Sequence, residues 1–278
     1  MKRTASVASK FWLSMATILL GLFVVQIAFG VDALWGQGEI LAYASSFTAR
    51  DNTVVDYSNS SRGFVVVKTS CTKKAMLSIE RDSNKYFYEI NNNGRPEQFP
   101  LQAGNGKYEI KLYENVKGNQ YCYVLNESIN VSLDDPTVPF RYASQYVNYN
   151  DNTKAVVKAA ELCRKSNNDA DKVRQIYDYI CKNIKYNKQR AKNVANNYLP
   201  NIDEVFTSKK GICFDYSALM AAMLRSQGVP TQLVIGYVNK NLYHAWNKVY
   251  INGSWVVYDS TFGAGKTKGK SYAEERRY

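Results

Sequence analysis

One histidine, His244, occurs in 278 residues, and no two of the five cysteines stand in a C-x-x-C pair. A zinc site built from thiolates and imidazoles therefore lacks both ligands and spacing. No loop carries the clustered acids that a calcium site needs. There is no internal repeat and no low-complexity tract, and the apolar and charged fractions are ordinary for a folded chain, so disorder is not the default. The net charge of +12 is spread along the sequence rather than run together, which argues against a nucleic-acid stripe. Solubility is the simplest use for it, and adherence to anionic cell-surface polymers is another.

The N-terminus has what the rest lacks, a long uncharged run. Lys2, Arg3 and Lys10 precede Phe11–Gly30, 20 residues without a charge. This reads as a secretory signal, residues 1–33, with small residues at Ala28–Gly30 or Val31–Ala33 for a peptidase. The same run is long enough to span a bilayer once if it is not cleaved. Either way the expected location is extracytoplasmic, secreted or held at the cell surface. Disulfides are permitted there. Cys71 with Cys122 and Cys163 with Cys181 are the simplest local pairs, leaving Cys213 as the odd thiol.

Two regions follow. From 38 to 133 the segments Arg62–Thr69, Ala75–Glu80, Lys85–Ile90, Lys107–Glu114, Tyr121–Leu125 and Ser128–Leu133 are rich in β-branched and aromatic residues, with turn chemistry between them. In KYEIKLYE, apolar residues alternate with charges as on a half-buried strand. The expectation is a small β-sandwich accessory domain. Residues 134–149, opening with DDPTVP, read as a linker. From 150 to 278 the period lengthens to 3.6. Val156, Ala160 and Cys163 line one expected helix, and Val173, Ile176, Tyr177, Ile180 and Ile184 the next. Three strands are expected at Gln232–Val238, His244–Ile251 and Ser254–Thr261. Helices first and antiparallel strands last make an α+β domain.

Cys213 opens an apolar helix in KGICFDYSALMAAMLRSQGVP, where Gly228 and Pro230 supply the stop. A thiol on the first turn lies at the positive end of the helix dipole, which favours thiolate. A cysteine nucleophile needs a base, and His244 opens the next-to-last strand. A third group should orient the imidazole, and Asp259 lies on the last expected strand, in WVVYDST. Asn252-Gly253 between those strands favours a type I′ turn, in which paired positions sum to 505 and His244 and Asp259 share a face.

These residues resemble a known family. G-I-C-F-D-Y-S, L-R-S-Q-G-V-P-T-Q-L-V-I-G-Y, H-A-W and Y-D-S-T-F, in that order, are similar to the transglutaminase-like domain of the papain-like cysteine-enzyme superfamily. The resemblance implies a papain-like core over about 150–262, with Cys213 as nucleophile, His244 as general base and acid, and Asp259 as orienting acid. It also implies two oxyanion donors: the backbone N–H of Cys213, and Tyr198, five residues before Asp203, where animal transglutaminases place a tryptophan. Ser260 and Lys248 depart from the usual pattern outside the triad. The expected activity is thiol-dependent acyl transfer from a peptide or glutamine-type amide of a peptide or protein substrate, without metal or cofactor. Hydrolysis is favoured, and protein cross-linking or a non-catalytic surface scaffold are the alternatives.

Overall fold

The alternating segments of the first region pair as their patterns require. The computed structural model describes residues 47–50, 52–195, 197–263 and 267–278; the signal or anchor segment lies outside them. Eight strands come first: β1 (Phe47–Arg50), β2 (Thr53–Asp56), β3 (Phe64–Thr69), β4 (Ala75–Arg81), β5 (Asn84–Ile90), β6 (Glu97–Pro100), β7 (Gly106–Lys117) and β8 (Gln120–Val131). They form two four-stranded sheets, ordered β1-β2-β3-β6 and β5-β4-β7-β8. On β7, Tyr108, Ile110 and Leu112 are buried while the intervening charges are not, as the period of two demands. The segments expected as separate strands at 121–125 and 128–133 are one strand, β8, because the ladder to β7 runs on through Asn126 and Glu127.

Residues 134–149 are held in place rather than extended. Asp135 Oδ1 accepts the Thr137 N–H at 2.7 Å and its hydroxyl at 2.8 Å, and a 3₁₀ turn follows at Val138–Arg141. Gly63 permits the close approach of this turn, since a Cβ there would lie 2.8 Å from Pro139 Cγ.

The helices are α1 (Lys154–Cys163), α2 (Asp169–Asn183), α3 (Lys188–Lys192), α4 (Ile202–Ser208) and α5 (Cys213–Arg225). Asn168 and Asn201 cap α2 and α4 by accepting the N–H groups of Asp171 and Glu204. On α2 the expected residues are buried; on α1 Ala155 and Ala159 join Val156 and Cys163, and Ala160 is exposed. Between helices, β9 (Lys185–Tyr186) and β10 (Lys210–Gly211) form a short parallel pair. Helix α5 is enclosed on every side, with each residue from Asp215 to Arg225 buried. Ala218, Ala221 and Ala222 let neighbours approach the faces that the larger residues do not fill.

The last sheet, ordered β13-β12-β11-β14, contains β11 (Thr231–Val238), β12 (Leu242–Ile251), β13 (Ser254–Tyr258) and β14 (Tyr272–Arg277). The β12–β13 register runs from Ile251↔Ser254 to Asn247↔Tyr258, as the two-residue loop requires. Asn252 and Gly253 have φ of 51° and 79°, the left-handed geometry of a type I′ turn. Strand β13 ends one residue before Asp259. Strand β14, with its weakly apolar YAEERR sequence, was not legible as a strand; it pairs with β11 on the far side.

Neither expected disulfide is present. Cys163 ends α1 beside the start of α2, whereas Cys181 lies in the last turns of α2. Twelve residues of helical rise separate them by roughly 18 Å, beyond the reach of a disulfide. Cys122 pairs with Glu114 on β7, which pairs with Ala75 on β4. Cys71 lies before β4, two strand spacings or about 10 Å across the sheet.

Candidate active site

The chain turns sharply into α5. Gly211 is needed there, because a Cβ would lie 2.6 Å from the Asp215 Cβ. Asp215 Oδ2 accepts the Ile212 N–H at 2.8 Å, closing the first turn and leaving half-buried Cys213 at its mouth. On the adjacent strand His244 is 5 % exposed and Asp259 is 1 % exposed, so little water screens the pair. His244 Nε2 and Asp259 Oδ2 are 2.9 Å apart. With Nε2 engaged by Asp259, Nδ1 is the nitrogen left for the Cys213 sulfur. Burial by itself pushes the His244 pKa down. The bond to Asp259 and the interaction with the nearby Cys213 thiol outweigh it and raise the pKa to about 9.

Four donors converge on the Asp259 carboxylate. Besides His244, the Tyr272 hydroxyl donates to Oδ2 at 3.0 Å, and the N–H groups of Thr261 and Phe262 donate to Oδ1 at 3.1 and 3.2 Å. The Tyr177 hydroxyl donates to the Asp259 carbonyl at 3.1 Å and ties the segment to α2. The Phe262 ring stacks on the imidazole at 4.7 Å, covering one face.

Tyr198 lies beside this constellation, with its proton already engaged. Its hydroxyl donates to Asp215 Oδ1 at 2.6 Å and accepts from Arg190 Nη1 at 3.0 Å. Donation to an oxyanion would require breaking the Asp215 bond. Arg190 also pairs with Glu204 and lies 3.6 Å from Asp215 Oδ2. Burial raises the Asp215 pKa, against the bonds from Tyr198 and Ile212 and the nearby Arg190 charge. Among the described residues no group of three His, Cys, Asp or Glu side chains is arranged to hold a metal.

Residues 157–260 match the family model of the transglutaminase-like superfamily. They form a transglutaminase-like domain. The chain is 25 % identical over 209 residues to the uncharacterized protein YebA of Bacillus subtilis, covering 67 % of this chain and 28 % of that one. It is 32 % identical over 117 residues to the kyphoscoliosis peptidase of Mus musculus, covering 38 % of this chain and 18 % of the relative. The chain thus spans under a third of the length of either relative. Among solved structures, a candidate cysteine protease from Cytophaga hutchinsonii aligns with 18 % identity and a TM-score of 0.40, covering 78 % of this chain and 86 % of that one.

The transglutaminase-like domain ends in the family match one residue after Asp259, yet three groups that hold Asp259, from Thr261, Phe262 and Tyr272, lie beyond it. Sequence reasoning missed Tyr272 because its strand could not be recognised. It also missed Asp215, although Cys-x-Asp at a helix start is an N3 acid signal.

Proposed function

We propose that the protein is an exported thiol-dependent acyl-transfer enzyme acting on peptide or protein amides, with hydrolysis as its main outcome. One observation carries this reading: a buried imidazole hydrogen-bonded to a carboxylate and interacting with a thiol at a helix N-terminus. The Cys213 sulfur attacks the amide carbonyl carbon while its proton resides on His244. The carbonyl electrons move to oxygen, where the Cys213 backbone N–H is a donor, being one of the first-turn groups without an intrahelical acceptor. As the tetrahedral intermediate collapses, the C–N bond breaks and His244 gives its proton to the departing amine. A thioester remains. Water then gives a proton to His244 and attacks the thioester; collapse releases the acid, and the proton returns to sulfur.

A lysine amine in place of water would turn the same thioester into a cross-link. The peptidase named among the relatives supports hydrolysis, as does the absence of any need for a second protein substrate. Export rests on the residue 1–33 segment, and the basic surface suits anionic cell-surface polymers as a second partner. Two measurements test the reading. Iodoacetamide at pH 6 should label Cys213 rapidly, and His244→Ala should remove that advantage; labelling at an ordinary thiol rate in both would leave a non-catalytic scaffold. Peptide substrates incubated with a labelled primary amine should yield mostly free acid, and predominant amine incorporation would make the protein a transglutaminase.

A further inference from the structure

We infer that Tyr272 is a positioning residue of the Cys213–His244–Asp259 relay: its hydroxyl holds Asp259 Oδ2 against His244 and tempers the carboxylate's grip on the imidazole. The inference rests on reading His244 as the proton carrier, but its test needs no turnover. Both Tyr272 Oη and His244 Nε2 lie within hydrogen-bond distance of the same oxygen, at 3.0 and 2.9 Å. A carboxylate oxygen that shares its negative charge with a second donor is a weaker acceptor for the first. The remaining oxygen is fixed by two backbone N–H groups, so among the described residues Tyr272 is the one side chain besides His244 that donates to this carboxylate.

The fold brings this phenol in from outside the matched domain. Strand β14 bulges against β11 between Ile235 and Gly236, and a Cβ on Gly236 would lie 2.1 Å from the Ala273 carbonyl oxygen. The glycine therefore lets β14 come close enough for Tyr272 to reach the acid. The Tyr272 ring meets buried Trp246 edge-on at 5.0 Å, which fixes the phenol's direction. Burial and then the neighbouring Asp259 charge hold its pKa well above the ordinary tyrosine value, so it remains a donor throughout the working range.

The other groups around the imidazole are Cys213 from α5, Tyr177 from α2 on the Asp259 carbonyl, and Phe262 with Lys270 over its ring. Tyr186 from β9 feels the Cys213 charge. None of them touches Oδ2. Tyr272→Phe keeps the ring and removes only the shared donor, and His244, the sole histidine, can be followed by NMR in the full chain without ambiguity. Its titration midpoint should rise by about 0.5–1 pH unit, a three- to tenfold tighter hold on the proton. An unchanged or lowered midpoint in the folded variant overturns the inference. The unmodified chain gives a second readout, a cross-relaxation peak between the Tyr272 hydroxyl proton and the His244 ring N–H. Its absence also overturns the inference, whether or not the variant folds.

Discussion

His244 and Asp259 are joined across the end of a hairpin, with Nε2 2.9 Å from Oδ2 although Asp259 has already left β13. The carboxylate fixes which ring nitrogen carries a proton and leaves the other for the Cys213 sulfur. Asp259→Asn should preserve the fold and lower turnover by roughly 10⁴-fold, as for other triads whose acid is replaced by its amide. Steady-state kinetics with circular dichroism as a control will check this.

The raised His244 pKa sets a direction for pH effects. A base whose pKa goes from 6.5 to about 9 on folding stabilises the folded state fully below 6.5 and loses that contribution as pH rises through 9. Melting temperature should therefore fall between pH 7 and 9.5 by more in the parent chain than in His244→Ala. The activity profile should have its alkaline limb near 9, where the imidazolium is lost. Thermal melts in a pH series give the first result and initial rates the second.

Arg225 is a buried cation without a buried acidic side chain beside it among the described residues. Its guanidinium donates to the carbonyls of Thr231, Tyr142 and Tyr278 at 2.8, 2.8 and 2.7 Å, and burial lowers its pKa to about 10. Arg225→Met would take this donor from the Thr231 and Tyr142 carbonyls, while Tyr278 keeps the Leu233 N–H, and each lost partner costs about 1–3 kcal/mol. A loss of at least about 2 kcal/mol is expected in urea unfolding. Arg225→Lys should recover only part of it, because an ammonium lacks the planar fork.

Tyr198→Phe separates two roles for the phenol. With the hydroxyl donating to Asp215, its removal should cost about 1.5–3 kcal/mol of stability. Turnover should fall far less than the ~10² typical of a lost oxyanion donor. A hundredfold loss of kcat at unchanged melting temperature would return Tyr198 to the oxyanion.

Gly253 carries φ of 79° at the hairpin tip, and nothing lies within 4 Å of a Cβ added there. Gly253→Ala should therefore cost about 1 kcal/mol of backbone strain without a clash. A shift in melting temperature with unchanged kinetics is the expected result, because the register is also held by the β12–β13 ladder.

The grouping of Cys213, His244 and Asp259 was legible because each sits at a position that local chemistry marks. Cys213 follows a glycine turn into an apolar helix, and Asn252-Gly253 fixes the register that turns His244 and Asp259 to one face. Strands β3, β4, β5 and β7 were legible from β-branched and aromatic runs between turn residues, with alternation added on β7. What remained hidden depends on neighbours distant in sequence. Tyr272 lies on a strand of YAEERR, whose pattern gives no buried face until β11 is placed beside it. The cysteine pairs seemed natural by proximity along the chain, but helix α2 carries Cys181 away from Cys163. Tyr198 was assigned by analogy of position, and the buried acid at Asp215, which takes its proton, becomes visible only in three dimensions.

Helix α5 has no free face, since every residue from Asp215 to Arg225 is covered, while the neighbouring five-residue α3 has no buried residue at all. Local opening follows the elements with least burial. The sulfur is therefore carried on a fully covered helix, and local opening is expected first in α3 and its flanks, which the side-chain bonds of Arg190 to Tyr198 and Glu204 tie down.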